Sequence, residues 1–419
     1  MSESINSSWG VLLPNTNDTT RRVRTFGLTP AVSYYDEAAV PETGTVWFMQ
    51  QIYLAALAIA VAEELNAPSG PTRVRIAEAI EAIACYRSLT RDIEAIKVRG
   101  SVRYRAQQPG EKKKIDASFQ EASRRGFYNF QTFRMGTIQI LPSLALSTVA
   151  VRYNEFQVRE DAKYSFDRGV GHRLVEWVRG KSTRITNVAT IDSALPAEPG
   201  FIKKVRERML SEEYLVNSKY RGRRNALWSQ LDSNAHEAKD WQALKSNLLQ
   251  EHVADIEAGA RFFKVRRRAM LALDEVERAM TNLDPTIDLE TAATLAKSHL
   301  MDVRLAAIEA GDQVKFPMAS EFVNACANLS GTDLLRYLVE REGANIRWDG
   351  EKISAGPNFR GATRVSADEQ DSAAIGDAEN NRTPESKMFP EFASDRLKRL
   401  HWLALDANGK LEEYFSAKN

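Results

Sequence analysis

Apolar residues in the first quarter of the chain are spaced as they are in helices. Between Thr43 and Leu65 they recur on every side of a helical projection, which predicts a helix buried in a core. The turn-forming run Pro68–Pro71 should end that helix. A second helix is predicted to open at Thr72 and to continue to Leu89 or a turn beyond. Its buried side is marked by Val74, Ile76, Ile80, Ile83 and Cys85.

The next hundred residues mix helical and strand-like patterns. Lys97–Asp116 has no apolar period and contains glycine and proline breakers, so we expect a basic loop or irregular hairpin, with a helix from Ala117. Alternation over Val149–Val158 predicts a strand pair that turns near Asn154, and Tyr164–Arg179 is predicted to be a helix after a glycine break. This order is typical of a winged helix-turn-helix. A helical domain with one incidental hairpin is the alternative.

The second half of the chain is predicted to be mostly helical. Apolar spacings of three, four and seven between Phe201 and Met280 favour long antiparallel helices or a short coiled-coil hairpin. Further helices are predicted over Leu289–Ala310, Phe322–Leu329, Thr332–Arg341 and, docked back at the end, Phe389–Phe415. Asn345–Ser354 alternates around Asp349–Gly350, which predicts a hairpin. Ala355–Pro384 is expected to be a mobile acidic loop or linker.

Together these patterns predict a mainly α protein, made of multi-helix domains with a winged helix-turn-helix and one or two small β-hairpins. We divide the sequence into four segments. These are an N-terminal arm and buried helical pair (1–96), a basic, winged-helix-like domain (97–200), a long-helix bundle or hairpin (201–312), and a small helical region with the hairpin, acidic loop and C-terminal helix (313–419).

Composition narrows the class of protein. The 419 residues are 43% hydrophobic and 27% charged, as in ordinary soluble globular proteins. Two cysteines, Cys85 and Cys326, are too few for a disulfide framework or a thiolate zinc site, and they fit a reducing cytoplasm. The most apolar stretch, Val46–Ala62, is shorter than the roughly 20 residues that a spanning helix needs. We therefore expect a soluble cytoplasmic protein without a membrane partner.

Charge is unevenly distributed along the sequence. Lys97–Arg134 holds ten basic residues against three acidic ones, a surplus of seven charges in a chain whose net charge is only +1. Lysine and arginine neutralise phosphates and aromatic rings stack on bases, so the mixture predicts contact with DNA or RNA. The candidate residues are Arg99, Arg103, Tyr104, Arg105, Lys112, Lys113, Lys114, Arg124, Arg125 and Arg134. A solvated surface loop and a docking site for an acidic protein remain alternatives.

Two shorter basic clusters extend the candidate interface. One is Lys219–Arg224, from which we select Arg221, Arg223 and Arg224, and the other is Lys264–Arg268, from which we select Arg266 and Arg267. The planar guanidinium group suits phosphate because it can donate paired hydrogen bonds. Either cluster could instead pair with glutamates of neighbouring helices.

Catalytic patterns are not found in the sequence. Arg168–His172 holds two glycines before a helix but has neither the third glycine nor the lysine of a phosphate loop. The five histidines do not form a metal-binding pair, and neither HExxH nor GxSxG occurs. We predict no catalytic residue, metal or cofactor and expect a non-enzyme, although a nuclease site made of dispersed carboxylates would carry no such pattern.

One resemblance adds a biological setting. Gly27–Glu64 contains GLTPAVSYY and a following Pro41 and Thr43 before an apolar helix, with Glu42 where a glycine is usual. This stretch resembles the start of uncharacterised bacterial proteins encoded near helicases and nucleases in phage-defence loci. Arg152–Val158 and the glycine-containing helix after it resemble the winged-helix region of such proteins. The resemblance implies a defence-associated role and no catalytic residues.

The leading prediction is therefore a non-catalytic nucleic-acid-binding subunit of a multi-protein bacterial complex, with antiviral defence as its setting. The helical region would bind other protein subunits. A protein-binding scaffold that docks an acidic partner is the first alternative, and a nuclease with dispersed carboxylates is the second.

Overall fold

A computed structural model describes most of the chain in separate stretches. They are residues 24–44, 46–67, 70–88, 140–148, 155, 157–159, 168–179, 195, 197–211, 218–220, 222–233, 240–280, 284–357, 359 and 388–416. These residues are mainly helical and include one small antiparallel sheet. The predicted fold class is thereby confirmed at that level.

Helices make up most of the described residues. In chain order they are α1 (Thr29–Ala39), α2 (Met49–Glu64), α3 (Gly70–Ser88), α4 (Arg168–Val178), α5 (Pro199–Met209), α6 (Arg223–Ser233), α7 (Trp241–Lys245), α8 (Gln250–Ala279), α9 (Leu289–Leu295), α10 (Lys297–Ala310), α11 (Pro317–Asn328), α12 (Gly331–Glu342), α13 (Asp395–Ala407) and α14 (Leu411–Ser416). Two short 3₁₀ turns lie at Ser218–Tyr220 and Gly311–Gln313.

The three strands form one sheet in the order β1–β3–β2. They are β1 (Thr286–Asp288), β2 (Ile346–Trp348) and β3 (Lys352–Ala355), and both pairings are antiparallel. The predicted hairpin is confirmed, because β2 and β3 are joined through Asp349–Gly350. The Asp349 carboxylate accepts from the backbone N–H groups of Glu351 (3.0 Å) and Lys352 (2.8 Å). Gly350 supplies the positive φ (108°) that this turn requires.

Two large apolar cores lie side by side. The first surrounds α2, which is buried on all sides as predicted, and is completed by α3–α7 and α13. The second contains most of α8 with α9–α12 and the sheet. Each core combines residues from more than one of the four segments drawn from the sequence. A smaller aromatic cluster, Trp47, Phe48, Trp402, Leu405 and Leu411, lies between α2 and the C-terminal helices.

Helices α1 and α8 connect the two cores. Ala39 and Ile256 contribute to the first core, whereas Tyr35 and Phe262 contribute to the second. The helices pack closely, since a Cβ on Gly259 would lie 3.2 Å from the Tyr35 Cβ. The 30-residue α8 is therefore the longest structural link in the described part of the chain.

Several predicted boundaries were wrong. The buried helix begins at Met49 rather than Thr43, since the backbone before it is extended at Phe48 and has positive φ at Glu42 and Gly44. The glycines expected to break the chain lie inside the first turn of α4. The helix predicted over Leu289–Ala310 is interrupted at Ala296.

Most of the region predicted to form a winged helix lies outside the described residues. What is described is an antiparallel bridge between Ser147 and Val158, supported by backbone hydrogen bonds from Thr148 to Gln157 and from Arg159 to Leu146. The predicted turn at Asn154, the basic loop and most of the acidic loop also lie outside the described residues. The winged-helix arrangement stays a prediction.

Candidate nucleic-acid interface

The four described candidates lie in two different environments. Arg223 and Arg224 begin α6, and Arg266 and Arg267 lie in the middle of α8. The candidates in Lys97–Arg134, together with Arg221, lie outside the described residues. The structure therefore gives the surroundings of the two shorter clusters only.

Arg224 is completely buried. Its Nη1 donates to Ser143 Oγ (2.9 Å) and its Nη2 donates to the Ser143 carbonyl oxygen (3.2 Å). Burial lowers the pKa of the Arg224 guanidinium to about 10, although the charges of Glu42 and Glu37 oppose that shift. A guanidinium that is 0% exposed has no surface to offer to a phosphate.

Arg223 is also directed into the protein. Its Nη1 donates to the Ala38 carbonyl oxygen and to Asp255 Oδ2, both at 2.8 Å, and its Nη2 lies 3.5 Å from Glu251 Oε1. Its guanidinium lies 4.7 Å from the centre of the Tyr220 ring. The alternative raised for this cluster, pairing with carboxylates of a neighbouring helix, therefore describes Arg223.

Lys219 is the outward-facing member of the same cluster. Its ammonium lies 5.3 Å from the centre of the Tyr34 ring and 5.0 Å from that of Tyr220. The side-chain hydrogen bond with Tyr220 raises the Lys219 pKa, so the ammonium stays charged at neutral pH. Lys219 is therefore exposed, whereas Arg223 and Arg224 of the same cluster are buried.

The side chains of the Lys264–Arg268 cluster on α8 also differ in burial. Arg266 is half-buried, its Nη2 donates to the Arg24 carbonyl oxygen (2.8 Å), and desolvation lowers its pKa. Arg267 is exposed and has no ion pair among the described residues. Lys264 and Arg268 reach α10, where they lie 2.7 Å from Glu309 Oε2 and 3.7 Å from Asp302 Oδ2. Of the four described candidates, Arg267 alone is open to a ligand.

Buried arginines elsewhere were not singled out from the sequence. Arg208 Nη1 donates to the carbonyl oxygens of Leu144 (3.0 Å) and Ala145 (2.7 Å). Together with Arg224 it holds three successive carbonyl groups at the end of the short helical turn Ile140–Ser143. These bonds tie Ser143, Leu144 and Ala145 to α5 and α6.

Arg24, a second buried arginine that was not selected from the sequence, lies shortly before α1. Arg24 is 3% exposed and faces three carboxylates. Its Nε lies 3.2 Å from Asp274, its Nη1 lies 3.7 Å from Glu342, and its Nη2 donates to Glu277. An arginine among turn formers carries no sequence signal that would reveal such burial.

Histidine and carboxylate side chains do not converge on a metal site in the described structure. No group of three or more His, Cys, Asp or Glu side chains within the described stretches is arranged to hold a metal ion. His252 is buried and its Nε2 lies 2.8 Å from the Ala39 carbonyl oxygen, so this nitrogen carries the proton and donates it. Burial lowers the His252 pKa to about 4.

No family model matches this chain, and neither does any curated protein or solved structure. Among the residues that the structure describes, no helix is both long enough and apolar enough to cross a membrane.

Proposed function

We propose that this chain is a non-catalytic nucleic-acid-binding subunit of a multi-protein complex. The observation that carries the proposal is the charge surplus of Lys97–Arg134, where ten basic residues face three acidic ones in a chain of net charge +1. A surplus of this size attracts polyanions, and the interleaved aromatic residues suit exposed bases. The resemblance of Gly27–Glu64 to phage-defence proteins supports bacterial antiviral defence as the setting.

The surroundings of the described arginines narrow the proposed contact set. The guanidinium groups of Arg223 and Arg224 are buried and hydrogen-bonded inside the protein, and that of Arg266 donates to the Arg24 carbonyl oxygen. We therefore retain the ten candidate residues named above in the Lys97–Arg134 segment, together with Arg221 and the exposed Arg267. The interface in this proposal relies on one dominant segment, since each of the two shorter clusters contributes one charge.

Salt-dependent binding tests the proposal. The full chain is titrated with DNA and RNA, single- and double-stranded, over a range of salt concentrations. Reversal of Lys112, Lys113 and Lys114 to Glu should weaken binding to all sequences and flatten the slope of log affinity against log salt. The slope should change by about 0.9 for each duplex phosphate that the variant no longer neutralises, or by about 0.7 for a single strand.

The matched control reverses three exposed lysines that are dispersed over the described surface, Lys203, Lys352 and Lys398. Net charge changes equally in the two triple variants, so only a localised interface separates their slopes. The absence of binding at low salt, or equal slopes for both variants, would overturn the proposal. Metal-dependent cleavage of the nucleic acid would instead support the nuclease alternative.

A further inference from the structure

Helix α10 carries a row of exposed apolar side chains. Met301 is 61% exposed, Leu305 57% and Ile308 56%. Their spacings of four and three place them on one side of the helix, over about 10 Å. With Leu295 on the preceding helix, they make up four of the six large hydrophobic residues that are markedly exposed among the described residues. Such concentration differs from the single apolar residues scattered over ordinary surfaces. We call Met301, Leu305 and Ile308 the α10 stripe.

The opposite side of α10 already anchors the helix. Leu300, Val303 and Ala307 are buried in the second core, where α10 packs against α8 and α11. The position of the helix is therefore fixed without the stripe. Apolar side chains in the stripe add nothing to this core, and a partner that covers them would explain their presence.

One border of the stripe is basic. Lys297 and Arg304 are exposed on this side, and Arg304 Nε donates to the Ala327 carbonyl oxygen at 3.3 Å. A carbonyl group is neutral, so it leaves the Arg304 charge uncompensated. Neither residue forms an ion pair with any other described residue.

The other border is occupied by ion pairs with α8. Asp302 and Glu309 are engaged by Arg268 and Lys264, and the side-chain hydrogen bond from Lys264 lowers the Glu309 pKa. Arg261 adds to that lowering. Lys264 and Arg268 are thus balanced by Glu309 and Asp302, so the exposed cations without an ion pair that we identify beside the stripe are Lys297 and Arg304.

We propose that the α10 stripe is a docking surface for an amphipathic helix of another protein, with acidic residues beside its apolar face. Two turns of exposed apolar side chains match the apolar row of such a helix. Glutamates or aspartates beside its apolar face would meet the exposed, unpaired Lys297 and Arg304. This surface shares no residue with Lys97–Arg134, so it does not depend on nucleic-acid binding.

Charge argues against a second copy of this chain. Two copies packed through the stripe would each bring the exposed, unpaired Lys297 and Arg304 to the interface, and like charges that meet there disfavour association. Nucleic acid would satisfy the charges, but phosphates gain nothing from the apolar stripe.

Synthetic peptides test the occupant directly. The probe is a helical peptide about four turns long, with leucines on one face and glutamates on both borders. A companion peptide carries lysines in place of the glutamates. Binding to the full chain is followed by fluorescence anisotropy and by the methyl NMR signals of the α10 stripe. The acidic peptide should bind and shift those signals, less strongly at high salt, and the basic peptide should not.

Surface variants link binding to the stripe. Leu305→Ser and Arg304→Glu should each weaken the binding of the acidic peptide by at least about tenfold. The unfolding temperature of Leu305→Ser should stay unchanged because that side chain is exposed. Leu249→Ser is the matched control, since Leu249 is 61% exposed and lies at the start of α8 rather than on α10. It should bind as the unaltered chain does.

Three results would overturn the proposal. One is failure of the acidic peptide to shift the stripe signals. Another is self-association in sedimentation that Leu305→Ser abolishes, because the occupant would then be a second copy. The third is a nucleic acid that shifts the same signals while the acidic peptide does not.

Discussion

Arg224 and Ser143 are joined by two hydrogen bonds inside the first core, from Nη1 to Ser143 Oγ at 2.9 Å and from Nη2 to the Ser143 carbonyl oxygen at 3.2 Å. The single hydroxyl hydrogen of Ser143 is shared between two backbone carbonyl oxygens, those of Glu42 at 3.1 Å and Ile140 at 3.0 Å from Oγ. One guanidinium thus organises three segments that are distant in sequence. Arg224 was selected from the sequence for its positive charge, and in the structure it serves as a buried hydrogen-bond donor.

Replacement of Arg224 should therefore destabilise the fold. Arg224→Met removes both donors and leaves the Ser143 carbonyl group buried, so we expect a loss of about 2–4 kcal/mol in urea unfolding. Arg224→Lys should also lose stability, since an ammonium cannot reproduce the paired geometry. Arg267→Met is the control and should change stability by no more than about 0.5 kcal/mol. Equal losses at the two positions would contradict this account.

The buried cluster around Arg24 supports a second prediction. Arg24→Met removes the buried cation that contacts Glu277, Asp274 and Glu342, so we expect a loss of about 3–5 kcal/mol. Adding Glu277→Met removes one carboxylate of the same cluster and should restore a large part of that loss. Urea unfolding of the two single variants and the double variant forms the cycle that measures the coupling. Strict additivity would show that the two residues do not act as a pair.

Sequence patterns predicted the elements whose formation depends on residues that are close together in the chain. The all-round apolar run predicted the burial of α2, and Asp349–Gly350 predicted the hairpin. By contrast, α1 and β1 were missed. β1 is three residues long and depends on β3, a strand far along the chain, while α1 is short and mixes polar and apolar residues. Strands and helices of this kind are stabilised by tertiary contacts that no local pattern contains.

The candidate site shows the same division. Local composition identified where positive charge is concentrated, but it carried no information on which guanidinium groups would find buried partners. Arg223 and Arg267 look alike in sequence, yet one meets Asp255 and the other meets solvent. The α10 stripe did have a signal, because Leu300, Val303 and Leu305 place apolar residues on both faces of one helix. Only the packing of α10 shows which face remains uncovered.

Cys326 should be chemically inert while the chain is folded. Burial raises the pKa of its thiol to about 12, although the charge of Arg341 opposes the shift. The thiolate is the reactive form, so alkylation at pH 8 should be at least about a hundredfold slower than in urea. Mass spectrometry of the peptide that contains Cys326 follows the reaction without interference from Cys85. Rapid labelling of the native chain would show that α11 opens readily.

His252 should make stability depend on pH between pH 7 and 5. Burial is the main reason that its pKa is lowered from the ordinary value of 6.5 to about 4. The nearby charge of Arg223 lowers the pKa further. Between these two values the unfolded chain binds a proton that the folded chain does not, so stability falls as the pH falls. The shift corresponds to a loss of about 2 kcal/mol from pH 7 to pH 5.

The comparison with His252→Gln isolates this contribution. Glutamine keeps an N–H donor for the Ala39 carbonyl oxygen but does not titrate, so the variant should start less stable at pH 7 and then lose less on acidification. Urea unfolding at pH 7, 6 and 5 gives both curves, and carboxylates elsewhere contribute equally to each. Parallel curves would mean that the His252 pKa is not lowered in the folded chain, which would contradict the prediction.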